Sequence, residues 1–154
     1  MCELQILVGL PASGKSTYAA EKSDDYLVLS SDGIRKELYG SEEIQGDGRK
    51  VFGILYHRAR CALKAGSNVI LDATHLTRRD REVAIVSGKE CGAYITCVCF
   101  ETPLKECKRR NGLRDRVVPE YVYDRMVKKY ERPFFEEGFD CMIFFRSTPK
   151  KGEK

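Results

Sequence analysis

Residues 4–17 read LQILVGLPASGKST, an apolar run followed by a glycine-bracketed loop and helix-forming residues. Gly9 and Gly14 enclose four residues and precede Lys15-Ser16, which completes the pattern G-x-x-x-x-G-K-[ST]. Glycine permits the positive φ angles and the close backbone approach that an anion-binding loop needs. The first N–H groups of the following helix have no partner inside that helix and can bind phosphate oxygens. The stretch therefore predicts a strand, a phosphate loop and a helix that together bind a nucleoside triphosphate.

The lysine and the serine of this loop have distinct predicted roles. Lys15 would place a positive charge on the outer phosphates, and the Ser16 hydroxyl would be a ligand of Mg²⁺. The alternative is a chance glycine-rich turn, but an apolar run before the loop and helix formers after it are what the motif requires. The residues predicted to bind ATP or another nucleoside triphosphate are Gly9, Pro11, Ala12, Ser13, Gly14, Lys15, Ser16 and Thr17.

Length and composition restrict the class of protein. A chain of 154 residues fits one domain with its own core. Without a bilayer-spanning apolar run or a secretory leader, the expectation is a cytoplasmic protein that contacts no membrane. The net charge of +4 is compatible with a nucleic-acid partner but does not establish one. Because the 7 cysteines include no C-x-x-C pair, we expect reduced, mostly buried thiols rather than a zinc site or disulfides.

Strands and helices are predicted to alternate along the rest of the chain. After the first strand, further strands are predicted at residues 26–29, 68–72, 94–100 and 139–145, with helices between them. This alternation predicts an α/β domain with a mainly parallel five-stranded sheet and right-handed crossovers. Sheets of this kind bind ligands at the carboxyl ends of their strands. The domain is expected to cover residues 1–146, followed by a flexible tail at 147–154.

Asp32 and Arg35 follow the second predicted strand. A carboxylate at that position suits a general base that takes the proton of an attacking hydroxyl, and no basic cluster in the sequence obviously occupies Asp32. The alternative is that Ser31 or Asp32 only caps the next helix. Arg35 lies on the same helix face, where it would hold the acceptor phosphate or the transferred group. A solvated surface arginine is the alternative for that residue.

The third predicted strand ends in a carboxylate. Asp72 follows the apolar run at 69–71, beside the expected position of the phosphates, where it would orient Mg²⁺ and its waters or an arginine. The alternative is a strand-end acid that binds a backbone amide. His75 is interpreted as a hydrogen-bond donor or a surface residue and is not counted among the site residues.

Residues 108–116 read KRRNGLRDR, with five cations in nine residues. Gly112 interrupts the run and predicted helices flank it, which is typical of a mobile lid that brings arginines onto phosphates and excludes water. A solvated charged face is the alternative. We call residues 108–118 the lid segment. Its arginines would neutralise phosphate oxygens only when the lid is closed.

Four motifs occur in a fixed order along the chain: GLPASGKST, SDxxR, DATH and RNxxRxxVVP. In this combination the chain resembles the kinase domain of polynucleotide 5'-hydroxyl kinases, a family of nucleic-acid repair enzymes, over about residues 4–145. The resemblance implies a P-loop NTPase fold, built as an adenylate-kinase-like three-layer sandwich with a lid. It also implies transfer of the γ-phosphate of ATP, with Mg²⁺, to the 5'-hydroxyl end of DNA or RNA.

The resemblance also implies roles for individual residues. Arg110 matches a lid arginine near the nucleotide, and Arg116 takes either lid role because lids vary in length. Asp72 matches a position at the end of the third strand and, with Ser16, makes up the expected metal site. The residues that match the catalytic positions are Lys15, Asp32, Arg35 and Arg114.

Other activities share these motifs. A P-loop kinase that acts on a tRNA-linked serine, a nucleotide sugar or a small alcohol would carry the same loop, carboxylate and arginine. A non-catalytic ATP-binding module is a further alternative, although it would need no base such as Asp32. The chain shows neither the D-x-D-x-T phosphatase signature nor the K-x-D-G ligase signature, so it reads as an isolated kinase module. Both a homo-oligomer and a former part of a multidomain repair enzyme are compatible with the sequence.

Overall fold

The computed structural model describes residues 1–146, and the predicted tail at 147–154 lies outside them. Five strands form one sheet in the order β2-β3-β1-β4-β5, and every neighbouring pair is parallel. The strands are β1 (Glu3–Val8), β2 (Leu27–Ser30), β3 (Val69–Asp72), β4 (Tyr94–Phe100) and β5 (Cys141–Phe145). The helices are α1 (Lys15–Glu21), α2 (Ser31–Tyr39), α3 (Gly48–Lys64), α4 (Arg78–Glu90), α5 (Leu104–Asn111) and α6 (Glu120–Lys129). The predicted alternation and the parallel five-stranded sheet are confirmed.

The fifth strand is shorter than predicted, because Asp140 interrupts its start. The Asp140 N–H donates to the Ile95 carbonyl at 2.8 Å, and the Asp140 carboxylate accepts from the Ile95 N–H, also at 2.8 Å. A side-chain oxygen thus takes the place of a strand carbonyl. Regular pairing with β4 then begins at Cys141, which lies opposite Thr96.

The sheet is covered on both faces, which gives three layers. On one face, β1 residues such as Leu4 and Ile6 pack with apolar side chains of α2, α3 and α4. On the other face, Leu7 packs with Ala19 of α1 and with Phe100. Strand β1 is central, and its side chains from Leu4 to Val8 are almost completely buried. Burial on both faces explains why this strand reads as a nearly continuous apolar run.

The parallel order brings the ends of β1, β2 and β3 to the same edge of the sheet. In the register of β2 and β3, Ser30 lies directly opposite Asp72. The Gly9 N–H donates to the Thr74 carbonyl at 3.1 Å, so the loop after β1 contacts the segment after β3. The polar residues that follow three different strands are therefore neighbours, as the sequence predicts.

The cysteines are less buried than the sequence predicts. Cys97, Cys99 and Cys107 are buried, whereas Cys61 is exposed and the other three are partly exposed. All seven are free thiols. Among residues 1–146, no helix has the length and apolar composition that crossing a membrane requires.

A buried ion pair holds the segment after β3 to the segment before β5. Arg81 of α4 is fully buried, and its guanidinium donates to both carboxylate oxygens of Glu137, at 2.9 and 3.1 Å. The same guanidinium donates to the carbonyls of His75 and Leu76 at 2.9 and 3.1 Å. A buried charge needs such complete pairing.

Glu137→Ala should lower the free energy of unfolding by about 3–5 kcal/mol, because it leaves a buried guanidinium without its carboxylate. Urea denaturation measures the loss. Glu37→Ala is the matched control, since it breaks the Arg58–Glu37 pair, whose two side chains are 43% and 57% exposed. The control should leave the denaturation midpoint nearly unchanged. Equal losses in the two variants would contradict a special role for the buried pair.

Candidate active site

The phosphate loop has the backbone conformation that its glycines predict. Gly14 has φ +110°, and Ala12, a non-glycine residue, has φ 63°. Gly9 is packed closely, because a Cβ built there would lie 2.7 Å from Ser13 Oγ and 3.2 Å from Phe100 Cβ. Gly9 and Ser13 therefore shape the base of the loop. Pro11 and the other predicted loop residues line the cavity above it.

Three side chains bind carbonyl oxygens of the phosphate loop. The Lys15 ammonium donates to the Leu10 carbonyl at 2.7 Å. The hydroxyl of Tyr123 donates to the Pro11 carbonyl at 2.8 Å, and that of Thr102 donates to the Ser13 carbonyl, also at 2.8 Å. These donors come from α1, from α6 and from the segment after β4, so the shape of the loop depends on three parts of the chain.

Tyr123 and Thr102 are residues of the site that the sequence does not reveal. The spacing of Val122, Met126 and Tyr130 places them on one face of α6, but the buried residue of that helix is Tyr123. No local pattern distinguishes a tyrosine that packs in the core from one that donates to the loop. Thr102 precedes Pro103, which indicates a helix start, and α5 begins two residues after Thr102, at Leu104.

Ser16 and Asp72, the two predicted metal ligands, are in contact. The Ser16 hydroxyl donates to a carboxylate oxygen of Asp72 at 2.9 Å. The partner of Asp72 in this contact is a side-chain hydroxyl, and not the backbone amide of the alternative interpretation. A hydroxyl and a carboxylate at a phosphate loop are oxygen ligands of the kind that Mg²⁺ accepts together with phosphate oxygens and waters. The donor set fits Mg²⁺.

The Lys15 ammonium and the Asp72 carboxylate are both largely buried. Burial lowers the pKa of Lys15 to about 8, and the negative charge of Asp72 opposes that shift. Burial raises the pKa of Asp72, while Lys15 and the Ser16 hydroxyl oppose the rise. Each group therefore stabilises the charged form of the other in a poorly solvated site.

Asp32 does not cap α2. The cap is Ser30, whose hydroxyl accepts from the Gly33 N–H at 3.2 Å, so the alternative in which Ser31 or Asp32 forms the cap is wrong. Asp32 lies in the first turn with its carboxylate between two guanidinium groups. Arg35 is 3.3 Å from one oxygen, and Arg116 is 3.2 Å from the other. The expectation that no basic group occupies this carboxylate is wrong, because the lid segment brings Arg116 to it.

Arg35 is not a solvated surface residue. Its side chain is only 12% exposed, and its guanidinium carbon lies 5.9 Å from the ring centre of Phe52 in α3. The Nε of Arg35 is buried and has no hydrogen-bond partner. Since an unsatisfied buried donor is costly, this N–H is available to an anionic acceptor.

His75 is buried, so its interpretation as a surface residue is wrong and its interpretation as a hydrogen-bond donor is right. Its Nδ1 donates to the Leu7 carbonyl at 2.7 Å, and its backbone has φ 45°. The side chain is 2% exposed, and its Nε2 has no hydrogen-bond partner. Burial lowers the pKa of His75 to about 4, so the imidazole is neutral at physiological pH.

One buried side chain, that of Asn111, joins the two ends of the loop in the lid segment. The Asn111 amide donates to the Val118 carbonyl at 2.8 Å and accepts from the Val118 N–H at 2.9 Å, as a backbone strand partner would. This contact fixes the loop that carries Arg114 and Arg116. Asn111 is part of the RNxxRxxVVP motif, but its structural role is not readable from the sequence.

The three lid arginines all line the same cavity. A Cβ built on Gly14 would lie 4.0 Å from the Arg110 guanidinium, so Arg110 is near the phosphate loop. Arg116 instead contacts Asp32 and, at 3.6 Å, Glu42. Arg110 and Arg116 are only partly exposed, whereas Arg114 is exposed, as the alternative of a solvated charged face expects.

One cavity of about 880 Å³ collects these groups. Seven cations and four carboxylates line it, so its electrostatic balance favours an anionic ligand. The predicted site residues that line it are Pro11, Ala12, Gly14, Lys15, Ser16, Thr17, Asp32, Arg35, Asp72, Arg110, Arg114 and Arg116. Except for Gly9 and Ser13, the predicted site is thus brought together at the carboxyl edge of the sheet.

Residues 4–133 match the protein family described as AAA domain. The chain belongs to this family. The match runs from β1 into the segment after α6 and includes the phosphate loop, Asp32, Asp72 and the lid segment. Together with the all-parallel sheet, it confirms the predicted P-loop NTPase fold.

Two curated relatives are kinases. L-seryl-tRNA(Sec) kinase of Methanococcus maripaludis is 30% identical over an alignment 161 residues long, which covers 96% of this chain and 60% of the relative. The bifunctional polynucleotide phosphatase/kinase of Schizosaccharomyces pombe is 27% identical over 142 residues, which cover 89% of this chain and 32% of the relative. The chain therefore spans less than two thirds of the length of either protein.

A chain in the structure of the Pnkp1/Rnl/Hen1 RNA repair complex has a similar fold. The TM-score is 0.70 at 25% sequence identity, over 83% of this chain and 43% of that chain. The similarity agrees with the family match and with the three-layer arrangement.

The free energy of unfolding should fall as the pH drops from about 6.5 to about 4. In that window the unfolded chain protonates His75, whose ordinary pKa is 6.5, while the folded chain keeps the imidazole neutral. The unfolded state binds more protons, so stability rises with pH there. The loss in the free energy of unfolding is complete below pH 4 and amounts to about 3 kcal/mol.

His75→Asn isolates this contribution. Asparagine retains a donor for the Leu7 carbonyl and tolerates a positive φ. Urea unfolding at a series of pH values should show a flatter profile for the variant between pH 6.5 and pH 4. Because the carboxylates titrate in both proteins, parallel profiles would contradict the role of His75.

Proposed function

We propose that this protein is an ATP-dependent phosphotransferase that moves the γ-phosphate to the 5'-hydroxyl end of DNA or RNA. The observation that carries the proposal is the shared cavity of the phosphate loop and the Asp32 carboxylate, with Arg35 beside it. A module that only binds nucleotide has no use for a carboxylate and a buried arginine on the acceptor side. The proposed catalytic residues are Lys15, Asp32, Arg35 and Arg114.

The donor side would bind ATP through the phosphate loop. The buried Lys15 ammonium would neutralise the outer phosphates, an interaction that is strong because little water competes for the charge. Ser16 and Asp72 would hold Mg²⁺, which supplies further charge neutralisation on the phosphates. Arg110 and Arg114 would cover the nucleotide from the lid segment.

The acceptor side would orient the attacking hydroxyl. Asp32 would take its proton as the oxygen attacks the γ-phosphorus and the bond to the leaving β-phosphate oxygen breaks. The two guanidinium groups hold the carboxylate in place, and each carboxylate oxygen keeps a lone pair that could accept from the hydroxyl. The unpartnered Nε of Arg35 would donate to a phosphate of the acceptor.

The choice of acceptor rests on similarity and on charge. The motif order, the polynucleotide phosphatase/kinase relative and the similar chain in an RNA repair complex support a 5'-hydroxyl nucleic-acid end. The second candidate is a serine attached to tRNA, and the 30% identity to L-seryl-tRNA(Sec) kinase over 96% of this chain supports it. Small uncharged alcohols gain no support from the excess of cations in the cavity.

One assay separates the candidates. The protein is incubated with γ-labelled ATP, Mg²⁺ and, in parallel reactions, a 5'-hydroxyl oligodeoxynucleotide, a 5'-hydroxyl oligoribonucleotide, seryl-tRNA and a sugar alcohol. The proposal expects label at the 5' end of an oligonucleotide. Label on seryl-tRNA alone would establish the second candidate, and no label on any acceptor would overturn both.

Asp32→Asn should lower the turnover number by a factor of about 10² to 10⁴, because the amide cannot accept the proton. The affinity for ATP should stay within a few-fold of the wild type, since Asp32 acts on the acceptor. Rapid-quench kinetics and equilibrium nucleotide binding measure the two quantities. Glu43→Gln, which removes another carboxylate that lines the cavity, is the matched control. Near-normal turnover in Asp32→Asn would exclude this residue as the base.

Arg114→Ala and Arg116→Ala should have different effects. Arg114 is proposed to cover the transferring phosphate from the lid segment, so its loss should lower the turnover number at saturating acceptor by at least about tenfold. Arg116 contacts Asp32 and Glu42, so its loss should change mainly the KM for the acceptor. Steady-state kinetics with each substrate varied in turn test this division. Identical profiles would contradict the assignment of the two arginines to opposite sides.

A further inference from the structure

Helix α6 forms a wall of the cavity that no catalytic role explains. Val122, Arg125, Met126 and Lys129 line the cavity, and their spacing of three and four residues places them on one face of the helix. The side chains of Arg125 and Lys129 are exposed, whereas Val122 and Met126 are partly buried between them. The wall is thus an apolar strip with a cation on each successive turn.

The two cations of this wall differ in their pairing from other cations near α6. In the part of the chain that the structure describes, neither Arg125 nor Lys129 forms an ion pair. Other cations near α6 are paired, such as Lys108 with Glu120 and Asp124. Like charges one turn apart on a helix repel each other, so an anion between them would be stabilising.

The helix dipole does not account for their position. A cation in the last turn of a helix is favourable because the carbonyl end is negative. Lys128 and Lys129 both lie in the last turn of α6, yet only Lys129 lines the cavity, and Arg125 lies outside that turn. The dipole therefore does not explain why Arg125 and Lys129 face the space that also contains Asp32.

We propose that Arg125 and Lys129 bind backbone phosphates of the nucleic acid whose 5' end lies at Asp32. This inference rests on the proposed function and specifies how the site would distinguish a polynucleotide from a small alcohol. A strand carries a phosphate at each nucleotide, so it can contact cations beyond the reacting end, which a small alcohol cannot. The strip of Val122 and Met126 would contact the sugars or bases of the same strand.

The test uses the double variant Arg125→Ala/Lys129→Ala and a charge-matched control, Lys105→Ala/Lys128→Ala. Both control residues are exposed, and neither lines the cavity. The dissociation constant of a fluorescent single-stranded 10-mer is measured by anisotropy over a range of salt concentrations. The double variant should bind about tenfold more weakly at low salt. Its log–log salt dependence should be shallower by about 1.4, since each phosphate contact on a single strand contributes about 0.7.

Kinetics with acceptors of increasing length add a second readout. In the double variant, the loss of kcat/KM should grow from a nucleoside 3'-monophosphate to a dinucleotide to the 10-mer. The control should bind and turn over each acceptor as the wild type does. A loss of the same size for every acceptor, or affinities and salt slopes equal to those of the control, would overturn the inference. The failure of the wild type to label any oligonucleotide is a separate outcome that overturns the proposed function.

Discussion

The burial of the Lys15 ammonium is the constraint on which the site depends. Lys15 is 7% exposed, and burial lowers its pKa from 10.5 to about 8, which corresponds to a cost of about 3 kcal/mol for its charged form. The Leu10 carbonyl and the charge of Asp72 offset part of this cost. A phosphate would offset more, so the fold keeps a poorly solvated cation where an anion binds.

The fold could be predicted because its signals are local. The loop motif fixes a strand, a turn and a helix within residues 4–17, and alternating apolar segments identify the remaining strands. Strand β4 has the predicted bounds, since both faces of residues 94–100 are apolar over most of their length. Where a side chain replaces a backbone partner, as Asp140 does before β5, the pattern of apolar residues does not reveal it.

The clustering of the candidate site residues could be predicted from the sequence, but their contacts could not. Each predicted residue follows a strand or lies in the lid segment, and sheet topology brings these positions together. The partners depend on distant segments: Arg116 reaches Asp32 from the lid, and Arg81 binds Glu137, 56 residues away along the chain. Burial of His75 and of Tyr123 likewise follows from packing, which periodicity within one helix or loop does not specify.

Helix α6 links the two halves of the cavity. On one face Tyr123 is fully buried and donates to the Pro11 carbonyl of the phosphate loop, while Arg125 and Lys129 line the cavity. A ligand that contacts the cavity face of α6 therefore contacts a helix that is hydrogen-bonded to the phosphate loop. Because the lid segment leads directly into α6 and is closed by Asn111, the lid arginines share this connection. One wall of the cavity and the shape of the phosphate loop thus depend on the same helix.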